Sequence, residues 1–195
     1  MNESALRNAL ELRRAGRLAE AAEVYAQILR TDPRHFEALH SLGILHFQSG
    51  RFEDAERLIG QAVAVNPASA DAHYHRGSLL QRLNRYEDAL ASYGRAVAAK
   101  PDFVEALTNR AILLMGLRRF PDALADFDRV LALKPDFAAA YGNLGNALIL
   151  LGRVDEGTAA YQKATAIRRA PGAAPTDELG MRTSRSKLQI GRAHV

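Results

Sequence analysis

Between positions 36 and 69 the apolar residues fall into two helical stretches. Residues 36–49 place Leu39, Leu42, Leu45 and His46 near one side, the spacing of an amphipathic helix. Gly50 predicts its end. Residues 52–65 resume the pattern with Ala55, Leu58, Ile59, Ala62 and Val65. Glu53 and Asp54 fall in the first turn of this second stretch, where the helix dipole favours negative charge. Asn66-Pro67 predicts its stop, because a residue before proline avoids the helical region. The reading is two helices, A and B, of about 14 residues or roughly 21 Å each. The short link makes them antiparallel.

The same plan recurs along the chain. Pro33, Pro67, Pro101 and Pro135 stand at one fixed interval. In the same register run Ala21, Ala55, Ala89, Ala123 and Gly157, and also Ala9, Gly43, Gly77, Ala111 and Gly145. Two large apolar columns accompany them: Tyr25, Ile59, Tyr93, Phe127 and Tyr161, and Leu18, Phe52, Tyr86, Phe120 and Val154. Small residues recur with small and bulky with bulky. A period of this length means a supersecondary unit copied along the chain. One hairpin cannot bury its apolar face alone, and stacking on the next one buries it. Gly43 and Ala55 lack bulk and predict a close approach of the two backbones, with Phe52 and Ile59 filling the space beside them. In the fourth unit Pro121 follows Phe120 at the start of the B helix, one of the few helical places that proline fits.

These residues resemble the tetratricopeptide repeat family. The second unit reads Leu39-x-x-Leu42-Gly43-x-x-His46, Ala55, Ile59, Pro67, and the third His73-x-x-Arg76-Gly77-x-x-Leu80, Ala89, Tyr93, Pro101. The fourth reads Leu107-x-x-Arg110-Ala111-x-x-Leu114, Ala123, Phe127, Pro135, and the fifth Tyr141-x-x-Leu144-Gly145-x-x-Leu148, Gly157, Tyr161. The family's tryptophan is replaced throughout by Leu, His or Tyr. The resemblance implies an all-α fold, a right-handed superhelical solenoid of antiparallel helix pairs. It places five repeats over residues 2–169, at about 2–35, 36–69, 70–103, 104–137 and 138–169. Both ends depart from the pattern. Ala5 and Asn8 replace bulkier residues, Gly157 replaces alanine, and Arg169 stands where proline is due.

Composition narrows the function. Of 195 residues, 48% are hydrophobic and 25% charged, as in ordinary folded proteins. Cysteine is absent, which removes disulfides, thiolate nucleophiles and cysteine metal sites. The formal net charge is +4, yet residues 1–167 hold 20 basic and 20 acidic residues. The excess sits in 168–195, with six basic and two acidic, so no cationic face for nucleic acid is expected. The first residues lack a basic region followed by an apolar run, and no stretch is long enough to span a membrane; a cytoplasmic protein is expected. Arginine (22) outnumbers lysine (4), in keeping with a GC-rich bacterial genome. Residues 170–195 lose the repeat pattern and read as a flexible tail. Residues 189–195 resemble one reading frame of a common sequencing adapter, and the expectation is an assembly artefact in a gene that continues.

In the family, one face of each A helix lines a concave groove. The resemblance therefore assigns to a peptide groove Glu37, His40, Ser41, Ile44 and Phe47, then Asp71, Tyr74, His75, Ser78 and Gln81. Glu105, Thr108, Asn109, Ile112 and Met115 follow, with Asn143, Asn146 and Ile149 from the fifth unit. Asn109 and Asn143 share a column and resemble the asparagine ladder of O-linked N-acetylglucosamine transferase repeats, although Arg7, Ser41 and His75 occupy its other rungs. An amide both donates to and accepts from a peptide backbone. The Lys, Asn and Arg set of a chaperone-tail clamp is missing. The function expected is a non-enzymatic interaction scaffold for a protein or peptide partner. The alternative is the substrate-recruiting N-terminal region of a larger, glycosyltransferase-like enzyme.

Other chemistry is weakly signalled. No histidine pair has the three- or four-residue spacing that puts two ligands on one helical face. His40 and His75 fall where neighbouring repeats approach, and His46 is expected to be packed; no metal or cofactor is expected. Arg17, Arg51, Arg85, Arg119 and Arg153 form a column in the A–B turn, read as charge balance with acidic residues of the following helix. No nucleophile–base pair or phosphate loop stands out.

Overall fold

The computed structural model describes residues 2–170. The tail beyond them, with the suspected adapter sequence, lies outside the described residues. Five A helices of 13 residues are α1 (Asn2–Arg14), α3 (Phe36–Gln48), α5 (Ala70–Arg82), α7 (Val104–Gly116) and α9 (Ala138–Leu150). The B helices are α2 (Leu18–Thr31), α4 (Phe52–Val65), α6 (Tyr86–Ala99), α8 (Phe120–Leu133) and α10 (Val154–Arg169). The fold is an all-α repeat array. It divides into two compact units, Met1–Leu113 and Leu114–Val195, with the division inside α7. In the first unit α1 packs on α2, α3 on α4 and α5 on α6, while α2–α3 and α4–α5 join successive hairpins. In the second unit α9 packs on α8 and α10. No described helix is long and apolar enough to cross a membrane.

Every A helix ends in the same way. Position 16 and its repeats at 50, 84, 118 and 152 all have positive φ, between 60° and 81°. Their N–H groups bond the carbonyl three residues back, at 2.9–3.1 Å. The next N–H, from Arg17, Arg51, Arg85, Arg119 or Arg153, reaches back five residues, each at 2.9 Å. This paired closure is a Schellman motif, which satisfies carbonyls that the helix end leaves open. Glycine supplies the left-handed residue at 16, 50 and 152, but Asn84 and Arg118 do so in the third and fourth repeats. Asparagine tolerates this region; arginine has no compensating feature.

B helices end by a different rule. Asp32, Asn66, Lys100 and Lys134 lie at φ between −129° and −137°, extended because each precedes a proline. Each of those four helices stops two residues before its proline. The fifth obeys the same rule with a shifted proline. Pro171 replaces the expected proline at 169, and α10 runs 16 residues instead of 14. Arg168 and Arg169 are the two added residues and lie in the last turn, where cations complement the helix dipole.

Within each hairpin the small residues permit backbone contact. Ala9, Ala21, Ala55, Ala89, Ala111 and Ala123 are all fully buried. A Cβ added at Gly77 would lie 2.7 Å from the Tyr93 ring, and one at Gly43 would lie 2.7 Å from Ile59 Cγ1. The bulky column of the B helix thus sits directly on the backbone of the A helix. Tyr25, Ile59, Tyr93 and Phe127 of that column are at most 1% exposed.

Two substitutions test these constraints. Gly77→Ala should lower stability by about 1–2 kcal/mol, since the rigid Tyr93 ring cannot yield and the overpacking cost exceeds the gain in helix propensity. Arg118→Gly should raise stability by about 0.5–1 kcal/mol, because relief of left-handed strain outweighs added unfolded-state entropy. Urea unfolding followed by circular dichroism reads both.

Candidate functional site

The first unit brings together side chains from α3, α5 and α7 on one face. The first contact joins two imidazoles: His40 Nε2 lies 3.0 Å from His75 Nδ1, and the ring centroids are 4.9 Å apart. The second joins Asn109 Nδ2, which donates to the Tyr74 hydroxyl at 3.2 Å. In both, a residue pairs with one 35 positions along the chain, one step beyond the repeat period. Aromatic contacts link the two: Phe36 stacks on His40 at 5.6 Å, and Tyr74 meets His75 edge-on at 5.1 Å. Tyr74 also touches Phe103 at 5.1 Å and Tyr93 at 6.1 Å.

The remaining expected residues take varied positions. Glu37, Asp71 and Glu105 are exposed, each in the first turn of its A helix. Ile44, Thr108 and Ile112 are half-buried. Ser41 is only 8% exposed and belongs to the interior rather than to an accessible surface. Phe47 packs with Phe52 against Ala55, Ile59 and Leu79, so most of its ring serves the core. Ser78 and Gln81 are tied to the B helix: the Tyr93 hydroxyl donates to Ser78 Oγ at 3.2 Å and to Gln81 Oε1 at 2.9 Å. Burial pushes the Tyr93 phenol up to about 12, so it remains a donor. Tyr25, in the same column, buries its hydroxyl with no hydrogen-bond partner among the described residues.

In the second unit Met115 and Asn143 are half-buried, while Asn146 and Ile149 are exposed. The Tyr161 hydroxyl donates to Asn146 Oδ1, repeating the Tyr93–Ser78 contact with an amide in place of the hydroxyl. A shallow depression of about 440 Å³ runs along one face of α10, lined by Thr158, Tyr161, Gln162, Thr165, Ala166 and Arg169.

Sequence reasoning passed over Phe36 and Phe103. Their column-mates explain Phe103. His35 and Ser69 stand one residue before an A helix and cap it, accepting from Ala38 N–H at 3.4 Å and Ala72 N–H at 3.2 Å. Phe103 occupies the same position without a capping group and instead buries its ring beside Tyr74. An aromatic residue at a helix-capping position was the available signal.

The arginine column is largely spoken for. Arg17, Arg85, Arg119 and Arg153 each bond the carboxylate three residues on, at Glu20, Asp88, Asp122 and Glu156. Arg85 also reaches Glu56 of the preceding repeat. Arg51 differs, with its Nε donating to Ser49 Oγ at 3.2 Å. All these pairs are exposed and contribute little to stability. His46 lies 3.3 Å from Asp54 and is otherwise half-buried. Among the described residues no group of three or more His, Asp or Glu side chains is arranged to hold a metal ion.

The family model for the tetratricopeptide repeat matches residues 6–56, 40–102, 76–116 and 108–174. The chain belongs to the tetratricopeptide repeat family. Solved structures of such repeat proteins share the fold. MamA superposes with a TM-score of 0.77 at 24% identity, covering 82% of this chain and 94% of that one. MamA from Desulfovibrio magneticus gives a TM-score of 0.78 at 18% identity, with 86% and 95% covered. YrrB, described as a TPR protein with an unusual peptide-binding site, gives 0.75 at 22%, with 84% of each chain covered. No curated protein matches the chain.

The imidazole pair makes this tetratricopeptide array sensitive to acid. Burial, and then the neighbouring His75, lower the His40 pKa to about 4; the Asp71 carboxylate and carbonyl oppose the shift and Arg13 adds to it. His75 is lowered too, chiefly by burial and further by Arg13, against the opposing pull of Asp71. Both rings are neutral in the folded chain and take up protons on unfolding below the ordinary histidine value of about 6.5. Stability should therefore be full above that value and fall as pH drops toward about 4. Thermal unfolding of the parent and of His40→Gln across this range should show a shallower acid loss in the variant.

Proposed function

We propose that the chain is a protein-interaction module that binds an extended or helical peptide along the A-helix face of its first unit. The observation that carries this reading is the pair of cross-repeat bonds, His40–His75 and Asn109–Tyr74. They hold aromatic and polar side chains of successive repeats in fixed positions before any ligand arrives, which lowers the entropy cost of binding. Asn109 gives its amide hydrogens to the Tyr74 and Tyr93 hydroxyls, and its carbonyl oxygen suits a backbone N–H of an extended peptide. Tyr74 supplies a ring face, and Glu37, Asp71 and Glu105 line the edge with negative charge. Peptide binding by the structural relative YrrB agrees with this assignment. The expected role is binding rather than catalysis.

The test begins with peptides selected from a random phage-displayed library against the full chain. Asn109→Ala should weaken the selected peptides by about five- to tenfold, the scale of one lost hydrogen bond. Helix content should stay unchanged, and exposed Arg57→Ala should bind as the parent does. Equal affinity of Asn109→Ala and parent would overturn the assignment.

A further inference from the structure

We propose that His40 and His75 form a two-imidazole site for a divalent transition cation of the copper or nickel type. His40 is delivered by α3 and His75 by α5, so the site exists only where two repeats meet. Three lone-pair carriers crowd together there: His40 Nε2, His75 Nδ1 and the Asp71 carbonyl oxygen. His75 Nδ1 is 3.0 Å from His40 Nε2 and 2.8 Å from the Asp71 carbonyl oxygen. Whichever tautomer is present, protons are too few. If Nδ1 carries the hydrogen, it is divided between two acceptors. If Nε2 carries it, the Nδ1 lone pair faces the carbonyl oxygen at 2.8 Å. A cation bound by both nitrogens takes up both lone pairs, and the His75 hydrogen then resides on its other ring nitrogen, Nε2.

The spacing selects the ion. Metal–nitrogen bonds of about 2.0–2.1 Å place two nitrogens 3.0 Å apart at an angle of roughly 95° at the metal. That lies nearer the right angle of tetragonal coordination than the wider tetrahedral angle, and tetragonal N,O sites favour Cu(II) or Ni(II). The imidazoles supply two ligands, and water fills the other positions. Each imidazole binds the ion through its neutral form. The Asp71 carboxylate sits four residues before His75 on the same helix face and offsets the ion's charge, while Arg13 opposes it. Phe36 stacked on His40 and Tyr74 edge-on to His75 fix the ring orientations.

Copper(II) titrated into the full chain tests the site, with electron paramagnetic resonance reporting the bound nitrogens and thermal unfolding reporting affinity. One ion with two imidazole nitrogens is expected, together with a rise in Tm, since the ion binds only the folded site. H40Q and H75Q should each remove one nitrogen from the spectrum and weaken binding at least about tenfold, beyond the lower end of what outer-shell changes cost. H194Q controls for binding at the chain end and should leave both readouts unchanged. Circular dichroism confirms folding of each variant, and H40N replaces H40Q if the latter does not fold. A copper spectrum and affinity unaltered by the folded histidine variants overturns the site, as does absence of binding to the parent at micromolar copper.

Discussion

Direct contact between a bulky B-helix side chain and the backbone of its A helix governs the hairpins whose A helix carries glycine at the crossing. Tyr93 on Gly77 and Ile59 on Gly43 leave no room for even one added carbon. That contact sets how near the helices lie, and the distance fixes which residues of α3 and α5 come within reach of each other. The columns of small and large residues are the sequence record of this single steric requirement.

Much of the fold was legible because its determinants are local. Gly50 ends a helix through its own backbone freedom, and Pro67 ends another through the residue before it. The turn at Arg118 was not legible, since arginine gives no sign of adopting positive φ. Only the hydrogen-bonded closure around it, shared with the glycine turns, accounts for its conformation. The last helix was half legible. The failure of the period at Arg169 was evident, but the same proline rule, acting from Pro171, lengthens α10 by two residues.

The site was harder to read than the scaffold because its contacting columns change chemistry from one repeat to the next. Position 41 carries serine and is buried, whereas position 75, one repeat later, carries histidine and reaches His40. The hydroxyl at Tyr93 is doubly bonded, whereas that at Tyr25 has no such partner. Columns predict which side chains are large or small. They do not predict which polar atoms meet, since that depends on the chemistry of two different repeats at once.

That dependence follows from the 35-residue reach of the two cross-repeat bonds, against a period one residue shorter. Each of these two contacts is owned jointly by two neighbours. The heritable unit of the scaffold is one hairpin, but the heritable unit of these contacts is the seam between two. A gene that gains or loses a repeat here can keep its architecture intact and still erase one such contact and join two repeats that never evolved together. New binding properties in such an array can thus arise by shuffling alone, before any surface residue mutates.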